Sequence, residues 1–238
     1  MKKILFLHHS TGMSIWLGKS NRYFYKLTRK GDIQKFFAEF NQANKTDFEI
    51  KEIAFPKSSP YGWNNYPFDY YNIWVKNAGE QSFMEEPTLE MLTKEYDVII
   101  LKHCFPVSRI LKDTGAPDIN SEEKRLENYK LQYNALKKKM HEFPDTKFIV
   151  WTPVVCTKNQ MTEDEAKRTY EFYEWMMNEW NEEGNNIYLW DYYKLQTEGN
   201  LYLLDKNASH PNNSHPNTEF SATAGTHLCK FIVETFES

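Results

Sequence analysis

The chain has 238 residues, of which 26% are charged and 16% aromatic, and its formal net charge is −4 at pH 7. A chain of this length can bury the core of one large domain or of two small ones. The net negative charge argues against a nucleic acid as the main partner, because phosphate binding requires a basic stripe. The densest basic run, at 137–139, has acidic residues close by and is typical of a solvated helix face.

The cysteines and the N-terminus indicate a cytoplasmic protein. Cys104, Cys156 and Cys229 are scattered and form no Cys-x-x-Cys pair, so neither a disulfide framework nor a cysteine zinc site is expected. The apolar run at 4–7 is shorter than the roughly 7–15 residues of a signal-peptide core. No segment approaches the roughly 20 apolar residues of a membrane span. We therefore expect a cytoplasmic location and no membrane partner, with a secretion signal removed beforehand as the alternative.

Short apolar segments alternate with helical patterns along the chain. The strand-like segments are 3–8, 48–55, 97–101, 148–155 and 187–190. The first suits a central parallel strand, whereas the second alternates apolar and polar residues as an edge strand does. Helical spacing appears at 33–40, 126–140, 166–180 and 219–236. This order predicts one α/β domain: a five-stranded parallel sheet with the first strand at its centre and helices on both faces.

Two sequence patterns predict where helices begin. Asn120 with Glu123, and Thr162 with Glu165, have the spacing of a capping box, in which each side chain bonds the backbone N–H of the other residue.

The stretch from Pro56 to Pro87 is long and rich in aromatic residues. A loop of that length within a compact domain is usually functional. Its densest part, 61–74, either caps the core, as most aromatic clusters do, or lines a pocket for a sugar ring or a similar ligand. Because it follows the second strand, we expect it to fold over Ser10 and form one pocket wall, with Tyr61, Trp63 or Tyr66 contributing ring surface.

Ser10 and His215 are the candidate catalytic pair. Ligands of doubly wound sheets bind beyond the carboxyl ends of the strands, and Ser10 directly follows the first strand. A hydroxyl needs a base to become a good nucleophile, and histidine is the usual one. His215 precedes the last helix in the second of two His-Pro-Asn copies, while His210 belongs to the first. The plainer interpretation is a turn serine and a surface histidine.

The blocks around these residues resemble those of the SGNH, or GDSL-like, hydrolases. The first block, 4–12, reads His-His-Ser, including His9, where that family has Gly-Asp-Ser; the last block, 212–217, ends in the family's His-Pro-Asn. The resemblance implies a three-layer α/β/α sandwich with flavodoxin-like topology and no cofactor. It also implies that Ser10 attacks an ester, such as an O-acetyl or acyl group on a carbohydrate or small molecule. His215 would then serve as base and acid, and the Ser10 N–H would hold the oxyanion.

The sequence departs from the family pattern at the supporting residues. Asn212 stands where the family has Asp, with Asn213 beside it, and an amide does not stabilise an imidazolium as a carboxylate does. Asp205 or Asp191 is the alternative partner, and a Ser–His dyad is another.

The family's third conserved block, Gly-x-Asn-Asp after the third strand, is not matched either. It is replaced by Lys102-His103-Cys104, so the family's oxyanion Asn is missing and His103 becomes a candidate supporting residue. Gly62 would match the second-block Gly, with Asn64 and Asn65 as nearby donors. Loss of one donor costs about 10²–10³ in turnover.

Two other functions stay open on the sequence. A degenerate SGNH-like module would bind a carbohydrate or a protein without catalysis. Alternatively, His8 or His9, His103, and His210 or His215 would converge on a zinc ion, although their spacing matches no metal motif. A nucleotide-binding domain is disfavoured, because the first loop lacks the glycines that admit phosphate.

Overall fold

A computed structural model describes residues 1–28, 30–62 and 64–237. They form a parallel sheet of five strands in the order β2-β1-β3-β4-β5, which is the flavodoxin-like order. The strands are β1 Lys2–His8, β2 Phe48–Ala54, β3 Val98–Leu101, β4 Lys147–Trp151 and β5 Ile187–Trp190. The predicted parallel sheet is confirmed. The central strand is β3, however, and β1 lies one position away, because only β2 pairs on its outer side.

The helices run in chain order between and after these strands. They are α1 Ser10–Leu17, α2 Arg22–Thr28, α3 Asp32–Asn44, α4 Pro67–Tyr71, α5 Leu89–Leu92, α6 Leu126–His141, α7 Glu163–Trp175, α8 Tyr192–Thr197 and α9 Thr218–Glu237. Short 3₁₀ turns lie at Phe105–Ser108 and Lys158–Gln160, and π-helical turns at Asn72–Lys76 and Met176–Trp180. Two short antiparallel strands, β6 Ala208–His210 and β7 Asn213–Pro216, form a hairpin that the sequence did not predict. No helix of the described ranges has the length and apolar character needed to cross a bilayer.

The two faces of the sheet carry separate halves of the core, because successive side chains of a strand point to opposite faces. On β1, Leu5 and Leu7 join the half formed with α6, α7 and the aromatic stretch. Ile4 and Phe6 join the other half, formed with α1, α3 and α9. All four side chains of β3 are buried, as expected of an inner strand covered on both faces.

The aromatic stretch caps one end of the sheet rather than forming an irregular loop. It contains α4 and the π-helical turn that follows, and Tyr70 and Trp74 are fully buried in the first half of the core. Tyr61 and Tyr66 are half-buried against the same cluster. Trp63 lies outside the described residues. The core-cap interpretation therefore holds for Tyr70 and Trp74.

One of the two predicted helix starts is confirmed. Thr162 and Glu165 form the capping box that begins α7. The prediction at Asn120 is wrong, because α6 begins at Leu126 and the N-terminal flank is Arg125. The Asn120 N–H instead bonds the Asp118 carboxylate within a preceding turn.

Candidate active site

Ser10 opens the first turn of α1, directly where β1 ends. Its side chain is exposed, and its Oγ lies 3.7 Å from Cys104 Sγ, which follows β3. The N–H groups of Gly12 and Met13 bond the His9 carbonyl. By contrast, the N–H groups of Ser10 and Thr11 meet no acceptor within the described ranges. Two donors at a positive helix end are therefore available to an oxyanion formed on Ser10.

The tight turn from β1 into α1 depends on Gly12. A Cβ added there would lie 2.6 Å from Cγ of the buried His8 ring, closer than non-bonded carbons approach. Glycine at this position therefore lets the first turn of α1 pack against β1, and so fixes where Ser10 stands.

Gly12→Ala is expected to lower the free energy of unfolding by roughly 1–3 kcal/mol, because the His8 ring would have to shift within a packed core. Urea unfolding at neutral pH measures this. Ser14→Ala in the same helix is the control, since within the described ranges its hydroxyl bonds only the Ser10 carbonyl, at 3.3 Å. Equal midpoints for the two variants would contradict the steric argument.

His215 lies on β7, and its ring is held by Asn213 two residues earlier. Asn213 Oδ1 accepts the His215 backbone N–H at 3.1 Å and lies 2.6 Å from His215 Nδ1. Because the same atom accepts a backbone N–H, it is the amide oxygen, and Nδ1 must carry the ring proton. In the neutral ring Nε2 is then the acceptor nitrogen, which is the tautomer that a general base requires.

The hairpin that carries His215 is fixed from its other face. Ser214, between Asn213 and His215, points inward and donates its hydroxyl to Gln160 Oε1 at 2.5 Å. The same hydroxyl accepts the Thr157 N–H at 2.9 Å. Alternation along the strand thus places Asn213 and His215 on one side of β7 and its attachment to the protein on the other.

Ser10 and His215 are brought to the same end of the sheet. Helix α1 packs against β7, and the His215 ring meets the Phe105 ring edge-on, with 5.1 Å between centroids. Phe105 follows Cys104, the residue beside Ser10. In the part of the chain that the structure describes, no direct hydrogen bond joins Ser10 Oγ to the His215 ring. Contact through one water is the arrangement that we predict.

The other candidate partners of His215 lie elsewhere. Asn212 is exposed, and its Oδ1 accepts from Asn159 at 3.0 Å. Its N–H bonds His210 Nδ1 at 3.1 Å, so the exposed His210 closes a turn. Asp191 caps α8 by accepting the Lys194 N–H, and Asp205 is exposed before β6. The amide that orients His215 is therefore Asn213, one residue later than the family spacing places it.

His9 links Ser10 to the aromatic stretch. Its Nε2 lies 2.6 Å from the Pro56 carbonyl, which can only accept, so this nitrogen carries a proton. Burial lowers the pKa of His9 to about 4, and the positive charge of Lys102 contributes in the same direction. A neutral His9 therefore donates to the start of the stretch at neutral pH and has a positioning role.

Three of the four proposed oxyanion donors, Gly62, Asn65 and His103, already have hydrogen-bond partners, and the fourth, Asn64, lies on the surface. Gly62 donates its N–H to the Lys57 carbonyl at 3.1 Å, and Asn64 is exposed. Asn65 Nδ2 donates to the Phe55 carbonyl at 2.7 Å. His103 packs in the aromatic core with Nδ1 3.3 Å from the Asn65 carbonyl, and burial lowers its pKa to about 3. Oxyanion stabilisation therefore rests on the first turn of α1.

A buried lysine beside Cys104 is a feature that the sequence reasoning missed. Lys102 is fully buried, and its Nζ lies 3.2 Å from Cys104 Sγ. Within the described residues no carboxylate comes within 4.0 Å of it, and burial lowers its pKa. The available signal was a lysine placed immediately after an entirely apolar strand. Cys104 stands near the Ser10 hydroxyl, on the segment that replaces the family's oxyanion block.

The histidines near the sheet edge have separate partners. His8 Nε2 lies 3.4 Å from Glu52, and burial lowers the pKa of His8. Across residues 1–28, 30–62 and 64–237, no group of three His, Cys, Asp or Glu side chains is arranged to hold a metal ion.

Comparison with known proteins adds little to this geometry. No protein-family model matches the chain, and no curated protein matches its sequence. Among solved structures, the fold is similar to that of the periplasmic domain of a lipopolysaccharide acetyltransferase from Salmonella ser. Paratyphi A. The TM-score is 0.49 at 13% identity, over 98% of this chain and 84% of that chain. At this level the likeness concerns the chain trace and not individual residues.

Proposed function

We propose that this chain is an SGNH-type serine esterase in which Ser10 is the nucleophile and His215 the base. The observation that carries the proposal is the contact between Asn213 Oδ1 and His215 Nδ1, because it fixes the tautomer that accepts a proton at Nε2. The exposed Ser10 hydroxyl at a helix N-terminus, on the same sheet edge, supports it.

The reaction would proceed in two acyl-transfer steps. Ser10 Oγ attacks the ester carbonyl while its proton passes to His215 Nε2, and the N–H groups of Ser10 and Thr11 bond the developing oxyanion. His215 then returns the proton to the departing alcohol, leaving an ester on Ser10. Water, deprotonated by His215, releases the acid and restores the hydroxyl.

The neutral partner of His215 limits the rate. Asn213 orients the ring but carries no charge, so it does not stabilise the imidazolium that forms during each step as a carboxylate would. A slow esterase is therefore proposed. For the alcohol half we propose an O-acylated carbohydrate or a small-molecule ester, supported by the half-buried Tyr61 and Tyr66 near the sheet end. A cytoplasmic location is likewise our proposal, on the three free cysteines.

A fluorophosphonate probe tests the nucleophile directly. We expect intact-mass analysis to show one adduct, mapped by peptide sequencing to Ser10, and none in Ser10→Ala. Ser14→Ala, in the same helix, should label like the unmodified protein. An adduct on another residue would show that this residue, and not Ser10, is the nucleophile. A folded protein that binds an acylated sugar without ever labelling would support the degenerate binding module instead.

A further inference from the structure

Two cationic side chains, Lys124 and Arg109, lie next to the candidate active site, and neither forms an ion pair with any residue that the structure describes. Lys124 Nζ donates to the Pro106 carbonyl at 3.2 Å, and the same carbonyl accepts the Arg109 backbone N–H at 3.3 Å. The shared acceptor places the ammonium group beside Arg109. Neither cation has a carboxylate within 4.0 Å among the residues that the structure describes.

Arg109 has a donor that lacks an acceptor. Its side chain is half-buried, and Nε is shielded from solvent with no hydrogen-bond partner in the described part of the chain. An unmade hydrogen bond on a buried charged group is costly. An incoming anion would supply both the missing acceptor and the missing charge, and a guanidinium suits the two oxygens of a carboxylate or phosphate.

The surroundings of this pair are short of negative charge. Arg168, whose Nε donates to the Ile110 carbonyl at 2.6 Å, adds a third cation from α7. Glu165 is the one carboxylate among the described residues whose charge is found to act on Lys124, where it raises the pKa; it lies farther than 4.0 Å from Lys124 Nζ, and its Oε2 also accepts the Thr162 N–H at 2.7 Å. Burial lowers the pKa of Lys124, and the charge of Arg109 lowers it further. The contribution of Arg109 agrees with two cations that lie close to each other.

The pair borders the reacting groups through the segment after β3. Pro106 follows Phe105, whose ring contacts His215, and Cys104, whose Sγ is 3.7 Å from Ser10 Oγ. Lys124 Nζ also lies 5.7 Å from the centre of the Tyr66 ring. A molecule with an anionic group bound here could therefore extend along this segment to Ser10.

We infer that Arg109 and Lys124 form a subsite for an anionic group, carboxylate or phosphate, on the ester substrate. The inference rests on the proposed esterase function, since it assigns the anion to that substrate. It would give the enzyme a preference for acidic esters, and the wild-type kcat/KM should be higher for an anionic ester than for its neutral counterpart.

Matched aryl esters test the subsite. The neutral substrate is 4-nitrophenyl butyrate; the carboxylates are mono-4-nitrophenyl succinate, glutarate and adipate, and 4-nitrophenyl phosphonoacetate is the phosphonate arm. Arg109→Gln and Lys124→Gln should each raise KM for the preferred anionic ester by roughly 10- to 100-fold, as expected for loss of a charge-assisted hydrogen bond. The constants for the neutral ester should stay unchanged. Arg125→Gln is the control, since that guanidinium already pairs with Glu123 at 2.9 Å.

The outcomes separate the two proposals. Neutral esters hydrolysed without any preference for the anions, or a preference that survives both substitutions, would overturn the subsite and leave the esterase intact. If no ester is hydrolysed, calorimetric titration of the unmodified protein with glutarate and with inorganic phosphate decides the subsite alone. Binding of either anion that is lost in Arg109→Gln and kept in Arg125→Gln would support the subsite. No binding of either anion to the unmodified protein would contradict it. Arg109→Lys, which keeps the charge, should retain part of the preference and guards against a folding defect.

Discussion

Replacing His215 with alanine is expected to lower kcat/KM for a short-chain aryl ester by about 10³-fold, because the Ser10 hydroxyl loses the base that takes its proton. The fold should be retained, since the ring lies at the sheet edge and Ser214, not His215, attaches β7 to the protein. Initial rates with 4-nitrophenyl acetate, together with the circular dichroism spectrum, measure both quantities.

His210→Ala is the matched control, because His210 has the same local sequence, His-Pro-Asn, but is exposed and bonds only the turn at Asn212. Its kcat/KM should equal that of the unmodified protein. The companion substitutions concern the amide: Asn213→Ala should lower the rate, whereas Asn213→Asp keeps the acceptor, adds a charge and should keep or raise it. Loss of activity in His210→Ala with an active His215→Ala would show that the wrong histidine has been assigned.

Acidification is expected to destabilise the fold by about 3 kcal/mol between pH 6.5 and pH 4.5. In the folded protein burial lowers the pKa of His9 to about 4 and that of His103 to about 3, both below the ordinary value of 6.5. Within this pH range the two histidines are therefore protonated in the unfolded chain and remain mostly neutral in the folded protein. Each histidine contributes stability that is complete above its unfolded pKa and is lost as pH falls towards its folded pKa.

Asp69 opposes this trend and is included in the expected value. Burial raises its pKa from 3.8 to about 6, so it stabilises the folded state as pH falls through that range. Urea unfolding at half-unit pH intervals measures the net slope. His9→Gln should flatten it by the contribution of one histidine, which averages about 1 kcal/mol per pH unit over this range. A free energy of unfolding that stays constant from pH 6.5 to 4.5 would contradict the burial of these rings.

Most of the sheet was predictable because its strands are short apolar runs between polar turns. The polar–apolar alternation of β2 indicated an edge strand, and β2 lies at the edge of the sheet. The exact position of β1 was not predictable, since neighbours in the sheet are set by packing of whole helices. The hairpin β6–β7 was missed because its strands are polar and too short for any periodicity.

The site residues likewise fall into two groups: those that can be proposed from their position in the sequence, and those whose role depends on the folded structure. Ser10 was proposed from its place after the first strand and His215 from its place before the last helix, and both places can be read along the sequence. Asn213 was only one of several supporting candidates, because its role depends on β7 being extended, where residues two apart share a face. The burial of Lys102 and the packing of His103 among aromatic rings depend on contacts distant in sequence, and no spacing reports them.

The Asn213–His215 contact also bears on how this end of the molecule assembles. Both groups sit within three consecutive residues, so closing their hydrogen bond requires almost no chain to be ordered, and it can form as soon as β7 is extended. The contact that fixes the ring's tautomer therefore lies wholly within β7 and involves no other part of the sheet. The position of the hairpin on the sheet is set separately. Ser214 must reach Gln160, 54 residues away in sequence, and this contact sets the distance between the base and the nucleophile. Sequence changes on the Gln160 side would thus shift the base without altering its chemistry.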